Sequence, residues 1–440
     1  MRTQVFGKLS PADRHGPALP LNTTPMTHSD VRMKGFASRT TVEAAIAWID
    51  SQLPEFHQLA TEVVSLLHAG GRVLAEDVIS RVAVPGFRRS MMDGFALRAE
   101  ETYGATAYNA LPLDIVGTSF PGSPFPGKVN RGQAVRIMTG APMPDGSDAV
   151  LPVEQTATTE AAGHGQSLLV TGELSAGKHV GAIGEDVRIG TAVLSAGRIL
   201  RAQDVGLLSS IGCNEVKVIR KPRVRILITG NEVLPPGTAP HGFQITDANG
   251  PMLHSLATRD GGFPMMPGII PDVPEALLTA LVEPADIVLV SGGSSVGLED
   301  HAPRLVDEHG TLAIHGIAMR PSSPAGLGRL GNSLVFLLPG NPVSCLCAYD
   351  FFAGRATRVL GGLSRDWPHR RIKAMLSRKL VSTVGRVDYA RVKLNGEFAE
   401  PLAVSGASIL TSTTLADGFV IVPADSEGYA TGTQVEVLLY

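Results

Sequence analysis

The run Ile287-Val288-Leu289-Val290 passes without interruption into Ser291-Gly292-Gly293-Ser294-Ser295-Val296-Gly297, and this junction constrains the fold more than any other segment. A short, wholly apolar run rich in β-branched residues predicts a strand buried on both faces, the kind found in parallel sheets covered by helices. The glycines behind it let the backbone turn its N–H groups inward, and the serines add hydroxyl donors. With a helix behind it, such a loop suits a phosphate. It equally suits a tight connection with no ligand. Neither a Gly-Lys-Ser/Thr phosphate loop nor GxGxxG is present here, which disfavours a dinucleotide-binding oxidoreductase.

Two neighbouring segments repeat the pattern. Val224 to Ile228 reads as a strand ending in Thr229-Gly230-Asn231-Glu232, and Ser333 to Leu338 as one ending in Pro339-Gly340-Asn341-Pro342-Val343-Ser344. The second end is a rigid turn into a helix over Cys345 to Phe352, where Asn341 and Ser344 either contact a ligand or cap the helix. Helical stretches around Pro251 to Arg259 and Glu275 to Val282 lie between the strands. Alternating strand and helix predict a doubly wound α/β domain, whose ligands bind outside the carboxyl ends of its strands.

A chain of 440 residues is too long for one core, so further domains are expected. Residues 1–38 lack hydrophobic periodicity and are expected to form a mobile tail. Thr40 with Glu43 resembles a capping box ahead of a helix carrying Val42, Ile46, Ile49 and Leu53. A second helix is expected from Glu55 through Leu67. From Val84 to about Val170, short β-type runs such as Leu113 to Val116 and Ala134 to Met138 alternate with Pro/Gly turns, with Gly163-His164-Gly165 as a hairpin tip. Lys221-Pro222 marks a boundary. Beyond about residue 365 the strands Arg386 to Leu394, Phe419 to Val422 and Gln434 to Leu439 predict a terminal, barrel-like β domain.

A net charge of −3 supplies no positive field for nucleic acid or an anionic membrane. There is no apolar run of about eighteen residues that could span a bilayer. The cysteines at 213, 345 and 347 form no CxxC pair or disulfide framework, which suits a reducing cytoplasm.

Gly-Gly-x-Ser-x-Gly-x-x-Asp at 292–300 and Leu-Pro-Gly-Asn-Pro-Val-Ser at 338–344 resemble the molybdopterin-binding domain of the MoeA family and of the gephyrin E domain. Other segments agree in order. They are Pro85-Gly86-Phe87 with Met92-Asp93-Gly94-Phe95-Ala96, Arg136 to Pro142, Gly184-Glu185-Asp186, Asp247-x-Asn249 and Gly385 to Tyr389. The resemblance covers residue 40 to the C-terminus.

That resemblance implies an elongated homodimer with a multidomain α/β plus β subunit. Residues 39–92 and 155–221 would form an N-terminal helical-β region, and 93–154 a small inserted β domain. A three-layer α/β domain would follow over 222–364, then a C-terminal β barrel over 365–440. It implies insertion of molybdenum from molybdate into adenylylated molybdopterin with release of AMP, assisted by Mg²⁺, which favours a few carboxylates plus phosphate oxygens and water. The pathway partners implied are a molybdopterin-adenylating protein upstream and molybdoenzymes or their chaperones downstream. By motif match the catalytic candidates are Asp93, Thr139, Glu232, Asp272 and Asp300, with Asp186, Glu232 and Asp300 as metal ligands. Gly292, Gly293, Ser294, Ser295, Gly297, Arg320, Pro339, Asn341, Pro342, Ser344 and Arg386 would bind the substrates. Taken singly, each acid also fits a turn or capping aspartate or glutamate.

The chain departs from the family at charged positions. Asn231 replaces an aspartate, and the family's Lys-Pro-Gly-Lys-Pro reads Arg320-Pro321-Ser322-Ser323-Pro324. A further lysine aligns with Gly316. An arginine-rich stretch reads Gly181-Ala182-Ile183, an Asp-Asn pair reads Arg88-Arg89, and a Gly-Ser reads Gly406-Ala407. Arg320 can still hold an oxyanion bidentately, whereas Ser323 and Gly316 supply no cation. The alternative to an active transferase is a weakened molybdopterin-binding or scaffold protein.

Overall fold

The computed structural model describes residues 38–160, 166–293, 300–403 and 406–440. The expected tail over 1–38, apart from Ser38, and the expected hairpin tip at 163–165 lie outside them.

The centre of the molecule is a sheet in the order Phe263–Met265, Arg223–Thr229, Ile287–Ser291, Ser333–Leu338, Gly326–Leu330, Thr311–His315. The first four strands are mutually parallel, and Gly326–Leu330 runs antiparallel to its neighbours on both sides. Successive side chains of a strand point to opposite faces, and here both faces are covered. Ile226, Ile228, Leu289 and Phe336 pack with the helices Asn249–Arg259 and Pro342–Ala348, while Leu227, Val288, Val290 and Leu337 pack with Pro274–Val282 and Ala302–His309. This is a three-layer α/β domain. Burying each such aliphatic side chain contributes about 1.5–3 kcal/mol before entropy is counted.

The C-terminal strands close on themselves. Val387–Asn395 pairs with Phe398–Ala403 and with Gly418–Val422; Arg371–Leu376 pairs with Phe398–Ala403 and Gln434–Leu439, and the latter returns to Gly418–Val422. The result is a closed five-stranded barrel, which leaves no free edge. Met319–Arg320 of the α/β domain joins it as a short parallel partner of Val387 and Asp388.

A third sheet runs Ala149–Pro152, Gly94–Leu97, Gln133–Ile137, Leu111–Ser119, Gln166–Val170, Thr156–Glu160. It thus includes the antiparallel strands Thr156–Glu160 and Gln166–Val170, which lie beyond the segment 93–154. The remaining N-terminal residues form two-stranded ladders and the helix Ala202–Ser210.

Two local expectations are corrected. No helix runs from Glu55 to Leu67; the segment contains the strand Thr61–Ser65, paired residue for residue with Glu215–Ile219. Val63 and Val64 are β-branched, and a partner some 150 residues away in the chain overrides the local helical spacing. The cap of the helix Val42–Gln52 is Thr41, whose hydroxyl accepts from the Ala44 N–H at 3.2 Å. Thr40 instead bridges to Ile317. That helix buries Val42, Ala45 and Ile49 against the α/β core, and Asp50 pairs with Arg355, so residues 39–52 sit on the α/β domain. Among the described residues no helix is long and apolar enough to cross a membrane.

Candidate active site

One amide ties together the carboxyl ends of two parallel strands, Ile287–Ser291 and Ser333–Leu338. Asn249 donates to Ser291 Oγ at 2.9 Å and to the Gly340 carbonyl at 2.7 Å, and Ser291 Oγ lies 3.6 Å from Cys345 Sγ. Asp247 holds the start of the Asn249 helix by accepting from the Gly250 N–H at 2.9 Å. Burial pushes the Cys345 thiol up to about 12, so it is a protonated packing group. Gly292 has φ +95° and stands so close to the strand end at Thr229 that a Cβ would come within 2.3 Å of the Thr229 carbonyl. Thr229 Oγ1 and Asn249 Oδ1 are buried without a hydrogen-bond partner among the described residues. Close backbone approach and polar atoms without a partner among the described residues are features that a ligand cradle would have. Gly293 belongs to it; Ser294, Ser295 and Gly297 lie outside the described residues.

Asn231 and Asp272 clasp each other at the next strand ends. The Asn231 N–H donates to Asp272 Oδ2 at 3.0 Å, and the Asp272 N–H to Asn231 Oδ1 at 3.2 Å. The amide that replaces a family carboxylate thus keeps the acceptor that orients Asp272 and drops a negative charge beside it. Glu232 is exposed alongside, and Asp300 is half-buried at the far end of the glycine loop.

Asn341 does not cap its helix; its Oδ1 accepts from Ser408 Oγ at 2.8 Å, and the Val343 N–H reaches the Ala407 carbonyl at 3.0 Å. The C-terminal segment is thereby docked on the Pro339–Pro342 turn. Ser344 is buried, and its carbonyl accepts from Ser322 Oγ at 2.5 Å.

Arg320 and Arg386 converge on Asp388, which is fully buried at the barrel's junction with the α/β domain. The distances are 2.7 Å from Arg320 Nη2 and 3.0 Å from Arg386 Nε, and Ser382 Oγ adds a bond at 2.9 Å. Both arginines line a cavity of about 610 Å³ with Ser323, Thr383 and Arg39. Arg320 Nε and Ser323 Oγ are buried there without a partner among the described residues.

The remaining candidates stand on the N-terminal and inserted parts. Asp93 accepts from the Thr139 N–H at 2.6 Å and from its hydroxyl at 2.8 Å, and these bonds hold its carboxyl below the usual range. Asp186 is exposed, anchored through its N–H to the Val84 carbonyl. Among the described residues, Asp93, Thr139 and Asp186 make no hydrogen bond to the α/β loops. Arg89 is held by Glu185 at 2.8 Å, so it does not restore charge to the arginine cavity. Among the described residues no three His, Cys, Asp or Glu side chains cluster as a metal cage. Isolated carboxylates still suit a hydrated Mg²⁺, which takes one or two of them with phosphate oxygens.

Asp247, Asn249 and Asp388 sit in recognisable motifs, but their positioning roles emerge only from the packing. No sequence signal marks Arg39, which lies far along the chain from the residues around it.

An α/β domain with close glycine turns at its strand ends, flanked by a closed barrel and a basic cavity, fits a phosphate- and anion-handling class of protein. Family models match along the chain: "MoeA N-terminal region (domain I and II)" over 40–212, "Probable molybdopterin binding domain" over 225–358 and "MoeA C-terminal region (domain IV)" over 373–440. The chain is 34% identical over 388 residues to molybdopterin molybdenumtransferase 2 of Mycobacterium tuberculosis, covering 85% of this chain and 94% of that protein. It is 31% identical to the molybdopterin molybdenumtransferase of Haemophilus influenzae, covering 90% and 98%. The crystal structure of a molybdopterin biosynthesis MoeA protein from Pyrococcus horikoshii superposes with a TM-score of 0.77 at 32% identity, covering 91% and 99%. The chain belongs to the MoeA family and is a transferase of molybdenum cofactor biosynthesis.

Proposed function

We propose that the protein inserts molybdenum from molybdate into adenylylated molybdopterin, releasing AMP and forming molybdenum cofactor. The observation that carries this is the pairing of two sites. A cradle at Thr229, Gly292, Gly293 and Gly340 lies at the strand ends of the α/β domain, and a basic cavity holding Arg320 and Arg386 lies on the barrel side of the same domain. The cradle offers N–H donors to the pterin phosphates, beside the turn of Pro339, Asn341, Pro342 and Ser344, and Ser294, Ser295 and Gly297, which follow in the sequence, are assigned to the same phosphates by the family motif. The arginines hold the oxyanion bidentately. Holding both substrates in one geometry is the positioning part of catalysis.

Mg²⁺, when bound, neutralises phosphate charge; Glu232 and Asp300, with Asp186, are the carboxylates that would take it, and Asn231 keeps Asp272 oriented beside them. Asp93 stays ionised through Thr139. In the homodimer that the family resemblance implies, Asp93, Thr139 and Asp186 would act from the N-terminal and inserted parts on the α/β domain of the partner subunit. The setting is the cytoplasm, between a molybdopterin-adenylating protein and the molybdoenzymes or their chaperones.

The second reading, a molybdopterin-binding or scaffold protein without transfer, is favoured by Ser323 and Ala407, which replace a cation and a hydroxyl. AMP release from adenylylated molybdopterin, with and without molybdate and Mg²⁺, decides between them. Molybdate-dependent AMP release with cofactor formed is expected. Tight substrate binding with no AMP released would establish the second reading.

A further inference from the structure

The arginine-lined cavity is electrostatically incomplete without a residue from outside the barrel and the α/β domain proper. Arg320 and Arg386 both spend donors on Asp388. Two guanidiniums facing one carboxylate leave a single net positive charge, which is half of what a tetrahedral dianion needs. Two lysines that the family resemblance places in this region read Ser323, which lines the cavity, and Gly316 here. Gly316 sits at φ +92°, a backbone conformation that a side chain there would strain.

The segment that pairs with Gly316 brings in another cation. The Thr40 N–H donates to the Gly316 carbonyl at 3.0 Å, and the Ala318 N–H donates to the Thr40 carbonyl at 2.8 Å. Behind this bridge, Thr41 caps the helix whose Val42, Ala45 and Ile49 are fixed in the α/β core. The backbone at the bridge is therefore anchored, and Arg39 next to it is exposed and lines the cavity with Arg320, Ser323 and Arg386. It forms no salt bridge among the described residues. An anchored arginine lying against a cavity with orphaned Arg320 Nε and Ser323 Oγ has the chemistry of an anion ligand and not of a structural pair.

We infer that Arg39 binds the oxyanion substrate and replaces, from the N-terminal bridge, the positive charge that the chain has lost at 316 and 323. With it the cavity carries two net positive charges, the match for molybdate. The inference rests on the function proposed above, in which this cavity takes molybdate.

Equilibrium binding of molybdate to the full-length protein tests it, followed by isothermal titration at fixed ionic strength. Arg39→Ala should raise the dissociation constant about tenfold, the loss of one charge-assisted contact, with thermal melting unchanged. Arg39→Lys should recover part of the affinity. Ser323→Lys placed in the Arg39→Ala background should also recover it, because charge in the cavity and not the Arg39 backbone is what matters. Unaltered affinity in Arg39→Ala, beside normal binding by the parent protein, overturns the role of Arg39. Failure of the second-site lysine to recover affinity overturns the charge-replacement account. No molybdate binding by the parent protein overturns the proposed use of the cavity itself.

Discussion

The carboxylate of Asp93 takes both of its short hydrogen bonds from one residue, through the Thr139 N–H first and its hydroxyl second. Both bonds favour the ionised form, so the group's folded pKa lies below its unfolded value. Any activity that needs Asp93 charged is therefore present at neutral pH and lost only as pH falls through that lowered value. Thr139→Ala removes the hydroxyl bond and leaves the backbone one. The acidic limb of the kcat/KM profile should move to higher pH, short of where an ordinary aspartate would put it. A limb that stays in place would show that another group sets it. The two Thr139 bonds set the sign, outweighing the smaller opposing effect of desolvation.

Between two elements of the α/β domain, Ser322 shows how a substituted glycine is held. It occupies the family's glycine position with φ +85°, a conformation costing a non-glycine residue about 1 kcal/mol. Its hydroxyl bonds the Ser344 carbonyl, which returns about 1 kcal/mol. Ser322→Gly relieves the first and loses the second, so its unfolding free energy should stay within about 1 kcal/mol of the parent. Ser322→Ala keeps the strain and loses the bond, and should fall about 1 kcal/mol lower. Urea unfolding of the two variants checks the order; an alanine variant more stable than the glycine one would refute the strain.

For the whole molecule, Asp388 is the clamp between barrel and α/β domain. It is fully buried and takes Arg320 from one domain, with Arg386 and Ser382 from the other. Removing one partner of a buried ion pair leaves uncompensated charge, but the Arg320 and Arg386 side chains remain 34% and 31% exposed, so solvent screens part of the cost. Asp388→Asn should destabilise the interdomain contact by about 2 kcal/mol. Calorimetry should then show the barrel melting ahead of the α/β domain. A single transition at the parent temperature would mean that the Met319–Arg320 pairing with Val387 and Asp388 holds the domains unaided.

The three central strands were legible in the sequence because a strand buried on both faces must be apolar at every position, as in Ile287 to Val290 and Ser333 to Leu338. The barrel strands and the tight turn at Gly292 were legible for similar local reasons: alternation, turn residues, and a backbone approach that only glycine meets. The strand Thr61–Ser65 was not, because its partner Glu215–Ile219 is distant and local spacing there mimics a helix. Nor were the Asn249 tie, the Asn341–Ser408 contact or the gathering of Arg39, Arg320 and Arg386. A sequence determines which segments must be buried and which turns are possible, since those depend on side-chain chemistry and local backbone freedom. Which polar groups meet across the folded chain depends on tertiary packing, and only the structure decided where this protein keeps its positive charge.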